Sequence, residues 1–127
     1  MSQIGHESKF FSLEEAERLL PLVRKITQGH VEAASPIQAR LDTLLSNDPR
    51  RAALERLFET QIEQWRGKIE RLGASTTGLW VVEFDVGAGF LSWRYPELRI
   101  GHFREESATI RKRLSDYIEE NDPDWAL

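Results

Sequence analysis

Apolar positions recur every three or four residues through the first 72 positions of the chain, then alternate from about residue 79. The first regime predicts helices and the second predicts strands. Ser12 opens the first helix. Ser12-Leu13-Glu14-Glu15 is a capping box, with Glu15 placed to reach back to the Ser12 backbone. Ala16, Leu19, Leu20, Val23 and Ile26 then form one stripe. Pro21 lies inside that helix, beyond its first turn, so a kink is expected there. The stripe keeps its phase past Gly29 and Pro36, through His30, Ala33 or Ala34, Ile37, Leu41 and Leu44. Two readings follow. Ser35-Pro36 can begin a second helix as N-cap and first residue. Alternatively, one arm runs from Leu13 to about Leu45, roughly 50 Å at 1.5 Å per residue. The kept phase favours the nearly continuous arm. Ser46-Asn47-Asp48-Pro49 is a turn, with Asp48 as N-cap and Pro49 as first residue of the next helix. That helix is expected to reach Leu72 and stop at Gly73. Leu54, Phe58, Ile62, Trp65, Ile69 and Leu72 form its seam. A seam of this spacing packs at a small angle, and the short turn makes the first arm its antiparallel partner.

The alternating stretch begins after a linker, Ala74 to Thr77. Trp80, Val82, Phe84 and Val86 fall on one face, and Leu79, Val81, Glu83 and Asp85 on the other. Gly87-Ala88-Gly89 suits a hairpin loop. Phe90 to Tyr95 makes the return strand, and Arg99 to Phe103 a third. Arg104 to Glu120 returns to helical spacing and ends at Asn121-Asp122-Pro123. The expected fold is α+β in one domain, residues 1–127. A long antiparallel helical hairpin (11–73) packs on a small three-stranded antiparallel sheet (78–104), with a C-terminal helix (105–120).

Composition narrows the function classes. The chain has no cysteine, which excludes disulfides and thiolate chemistry and fits a cytoplasmic location. Its first residues lack the apolar core of a signal peptide, and no apolar run approaches the roughly 20 residues of a membrane span. A net charge of −4 argues against general nucleic-acid binding, and neither a membrane nor a nucleic acid is expected as a partner.

Candidate chemistry is sparse. The three histidines, His6, His30 and His102, form no metal-binding motif. His6 falls in the polar N-terminal tail, and His30 lies on the helical seam, where a hydrogen-bonded structural role is the plainer reading. A metal site pairing His102 with Glu83 or Asp85 is geometrically open but disfavoured. Ser92, His102 and Asp85 could be drawn as a triad. Ser92 has no nucleophile elbow, so a strand serine is preferred. Gly87-Ala88-Gly89 lacks the third glycine and following helix of a dinucleotide loop. Arg50-Arg51 stands unfavourably at a helix start, which leaves a partner open, but acidic neighbours follow it and a solvated face is the plainer reading. Arg111-Lys112-Arg113 reads as a solvated face. No catalytic residue, metal or cofactor is expected. The cluster that resists dismissal is Glu97, Arg104 and Glu105, which bracket the third strand and its His102 beside Trp93, with Glu83 on a neighbouring strand. Aromatic surface with convergent charges suits a small polar ligand. The same residues would also make a salt-bridge network fixing the sheet to the helices.

Two segments carry a family resemblance. FSLEEAERLLPLVRKI, from Phe11 to Ile26, resembles the F-[ST]-L-E-E-A-x-x-L-L-P opening of the bacterial DUF2203 proteins. Trp93 to Glu105, WRYPELRIGHFRE, resembles the W-x-L-G-E-x-x-[IV]-x-x-W-H-E signature of that family without a gap. Gly78-Leu79 and Glu83-Phe84 match its G-[LV]-[VI]-D-F-P stretch more loosely. The resemblance implies a helical pair with a small sheet, and no known activity. The chain departs at Ser92, where the family has Cys, at Pro96, where it has Gly, and at Phe103-Arg104, where it has Trp-His. The family's C-terminal glycine-rich tail is replaced here by the expected helix. A shared scaffold is implied more firmly than a shared chemistry.

The function expected from these features is a non-catalytic protein-interaction module. It would associate with itself, as a homodimer, or with another protein through its helical faces. The alternative is a small-molecule- or metal-binding protein, or an enzyme, with a site at Glu83, Trp93, Glu97, His102, Arg104 and Glu105.

Overall fold

The computed structural model describes residues 10–105 and 112–113. His6, Trp125, the Asn121-Asp122-Pro123 stop and most of the expected C-terminal helix lie outside them. Helix α1 (Leu13–Asp42) is continuous over 30 residues. It opens on the capping box: Glu15 N donates to Ser12 Oγ at 3.0 Å, and Ser12 N to Glu15 Oε1 at 2.9 Å. Pro21 and Pro36 both lie inside it. Each removes the hydrogen bond to the carbonyl four residues back, Glu17 and Glu32. All four of these residues lie on the exposed side of the helix.

Helix α2 (Arg51–Arg71) begins two residues later than Pro49, where the sequence placed its start. Asp48 caps a tight turn instead: Arg50 N donates to its Oδ1 at 2.8 Å, and Arg51 N to its carbonyl at 3.1 Å. Both arginines find partners there. Arg50 clamps Asp48 through Nε at 3.0 Å and Nη2 at 2.7 Å. That guanidinium holds the Asp48 carboxyl down at about 2, first by side-chain hydrogen bonding. Arg51 donates to the carbonyls of Leu41 and Leu44 at 2.9 and 3.3 Å, stitching the end of α1 to the start of α2. Gly73, with φ of 94°, terminates α2 as expected.

The sheet corrects the expected three strands. β1 (Ser75–Gly78), β2 (Val81–Asp85), β3 (Gly89–Arg94) and β4 (His102–Glu105) lie in sequence order, all antiparallel. The two-residue β5 (Lys112–Arg113) extends that order beside β4. β1 falls in the stretch read as a linker. Its sequence, STTG, has no apolar face, and it needs none as an edge strand. Leu79 and Trp80 turn the chain between β1 and β2 rather than extending β2. Trp80 takes a left-handed φ of 61°, a costly conformation for a bulky residue. Its indole meets Trp65 edge-on at 4.9 Å, which offsets that cost. Arg99 and Ile100 belong to the β3–β4 loop, so the strand expected from Arg99 to Phe103 starts later, at His102. At Lys112 and Arg113 the chain is extended, not helical. It pairs with Phe103 and His102, satisfying backbone groups on the outer side of β4.

Val82, Phe84, Leu91, Trp93 and Phe103 form one buried sheet face. The lower halves of the helices cover it with Ala16, Leu20, Val23, Trp65 and Ile69. Phe11 joins this core: its N–H donates to Asp85 O at 2.7 Å and its ring meets Phe84 edge-on. Two polar contacts join the helices above it. Trp65 Nε1 donates to Thr27 Oγ1 at 2.9 Å, and His30 Nδ1 lies 2.8 Å from Gln61 Oε1. Among the described residues no helix is long and apolar enough to cross a membrane.

Candidate functional site

Strand register decides which polar side chains meet. Glu83 pairs with Ser92, and Ser92 with His102, across β2, β3 and β4. Val81 pairs with Arg94, and Phe90 with Arg104. Successive side chains alternate faces, so these residues share the face turned away from the helices. A face without helices is normally solvated and polar. Here Glu83 is 0% exposed and Ser92 3% exposed.

The Glu83 carboxylate is held by Arg104, with Nη2 to Oε1 at 2.7 Å and Nε to Oε2 at 3.3 Å. This is the two-pronged geometry that suits guanidinium to carboxylate. The Arg104 guanidinium also stands 4.5 Å over the Phe90 ring. Hydrogen bonding to Glu83 raises the Arg104 pKa above its ordinary value.

Beside this pair a cavity of about 280 Å³ is lined by Val81, Ser92, Arg94, Glu97 and His102. Glu97 comes from the β3–β4 loop and is fixed by two hydrogen bonds. Its Oε1 accepts from Arg94 N at 2.8 Å, and its carbonyl accepts from Trp93 Nε1 at 2.7 Å. Its Oε2 lies 3.9 Å from His102 Nδ1. The loop therefore aims a carboxylate at a strand histidine.

Four of the six residues singled out from the sequence gather here: Glu83, Glu97, His102 and Arg104. Trp93 does not join them. It is wholly buried on the helix-facing side, since it alternates with Ser92. Glu105 pairs with Gly89, on the parity of Phe103, and is exposed. Asp85 is drawn away from Ser92 and His102, accepting from Gly87 N at 2.8 Å in the hairpin loop. Among the described residues no three metal-ligating side chains form a group. Arg94 was missed, although its parity with Ser92 was there to be read. Ser92 and Arg104, both departures from the family pattern, share this face.

A second surface lies on the hairpin. Above the sheet, Ile37, Leu44, Leu54 and Phe58 are only half-buried along the seam. Leu22 and Leu57 are 44% and 54% exposed. A groove there, with Leu22, Ile26, Gly29 and Ala33 on its α1 side, runs past His30. His30 Nε2 is buried without a hydrogen-bond partner.

Neither a curated protein nor a solved structure matches the chain. One family model does, the one described as "Uncharacterized conserved protein (DUF2203)", and it spans residues 9–115. That span includes both helices and the whole sheet, so the chain belongs to the DUF2203 family.

Proposed function

We propose that the protein is a non-catalytic binder of a small polar molecule, held on the sheet face opposite the helices. One observation carries this reading: the cavity where Ser92, Arg94, Glu97 and His102 converge beside the buried Glu83–Arg104 pair. A few placed polar groups around an apolar wall are what such sites use for orientation and specificity. The ion pair beside it ties β2 to β4 across β3, which carries Ser92 and Arg94, and so holds the strands in a fixed geometry, as preorganised sites require. The proposed compartment is the cytoplasm, with the lack of cysteine in support. Native mass spectrometry of the purified protein tests the reading. A discrete small-molecule adduct is expected, lost in a His102→Trp variant that fills the cavity. An adduct retained in that variant would place the molecule elsewhere.

A second reading is self-association through the hairpin, supported by its half-buried seam and the exposed Leu22 and Leu57. The proposed occupant is a second copy. Light scattering at high concentration tests it, and a monomer mass near 14.7 kDa would end it.

A further inference from the structure

Building on the binding reading above, we infer that the ligand is a small carboxylate that also carries a hydroxyl or ammonium donor. The cavity presents both signs of charge at fixed places. Arg94 is exposed at the end of β3, and no side-chain hydrogen bond or ion pair engages its guanidinium among the described residues. Arg104, the other arginine of this face, is committed to Glu83. The free fork is therefore on Arg94, and a planar carboxylate matches it with two parallel hydrogen bonds.

Glu97 supplies the opposite pole. Its Oε1 accepts from Arg94 N, while Oε2 faces His102 at 3.9 Å, too long for a hydrogen bond. An O–H or N–H reaching Oε2 from the cavity, off the line to His102, would donate to it. The Ser92 hydroxyl and the His102 ring line the same space, and Val81 gives an apolar wall. A simple anion would use Arg94 and leave Glu97 repelling it. A simple amine would reverse the fault. A molecule with a carboxylate and a nearby donor satisfies both. A cavity of about 280 Å³ has room for a molecule of several non-hydrogen atoms.

The test is calorimetric titration of the full chain with L-serine, 3-hydroxybutyrate, acetate, ethanolamine and glycerol. The same set is run on Arg94→Gln, Glu97→Gln and His102→Trp. Arg94 is exposed and the His102 side chain is 41% exposed, so both positions accept substitution without unfolding. Gln at position 97 keeps an oxygen for Arg94 N. L-Serine or 3-hydroxybutyrate should bind at least tenfold more tightly than acetate, ethanolamine or glycerol. Arg94→Gln should weaken that binding at least tenfold, and Glu97→Gln should erase the advantage over acetate. If ethanolamine or glycerol binds best, with loss in His102→Trp but not in Arg94→Gln, the ligand class is wrong and the cavity remains a binding site. If no probe binds and the purified protein retains no adduct, the class and the binding reading fall together.

Discussion

Replacing Arg104 by methionine should be among the most damaging changes on the sheet face. The Glu83 side chain is 0% exposed and Arg104 is 19% exposed, with 2.7 Å between Nη2 and Oε1. Methionine keeps most of the stem and its packing against Phe90 but removes the charge. Glu83 is then a buried carboxylate that has lost its guanidinium. Breaking a buried pair from one side costs about 3–5 kcal/mol. Loss of the contact over the Phe90 ring adds about 0.5–1 kcal/mol. A domain of this size has about 5–15 kcal/mol in total, so the variant should remain folded but be visibly weakened. The melting midpoint should fall by roughly 10–20 °C. Urea unfolding followed by tryptophan fluorescence measures the loss, with the slope unchanged if the native fold is kept. Replacing both residues, Glu83→Met with Arg104→Met, should recover most of the loss, since an apolar pair often substitutes neutrally for a buried ion pair. A single-variant loss under 1 kcal/mol, or a double variant as weak as the single, would refute the reasoning.

Other outcomes follow from the same structure. Thr27→Val should cost about 1–3 kcal/mol in urea unfolding, because it leaves the buried Trp65 indole N–H without its acceptor. Ser12→Ala should cost about 1 kcal/mol by dismantling the α1 capping box. Gly89→Ala should cost about 1–3 kcal/mol, since an added Cβ would press on the Arg104 carbonyl and the Phe103 ring. Asp48 should titrate near 2 rather than at its ordinary 3.8 in a carboxyl NMR titration. Its folded pKa is lowered, so its contribution to stability is complete above about pH 4 and lost as pH falls through about 2. Asp48→Asn should therefore be weaker than the native chain at neutral pH and match it near pH 1.

The helices were legible because their signals are local. Ala16, Leu20, Val23, Thr27, His30, Ala34 and Leu41 hold one phase through two prolines, and all are buried. The capping box at Ser12 and the stop at Gly73 are written within a few residues of the events they cause. β1 was not legible, because an edge strand of Ser, Thr and Gly carries no periodicity of burial. Trp80 misled for a different reason. Its side chain fits the alternation, but its backbone is turned, held by packing against Trp65 and by the Tyr95 N–H donated to its carbonyl. The site was half legible. Alternation alone puts Glu83 with Val81 and Ser92 with Arg94, and it sets Trp93 on the opposite face. What it cannot supply is the register between strands. Glu83 and Arg104 are 21 residues apart, and nothing near either residue announces the pair. The sequence leaves Arg104 open between a ligand and an ion pair, and only the register joins it to Glu83 and sets Arg94 at the cavity.

The most direct test is a backbone amide NMR titration of the chain with the small-molecule fraction of a cell extract. The amides of Val81, Ser92, Arg94 and His102 should move together and saturate. Perturbations confined to Leu22–Ala33 and Leu57–Lys68 on the hairpin, or none at all, would contradict a ligand site on the sheet.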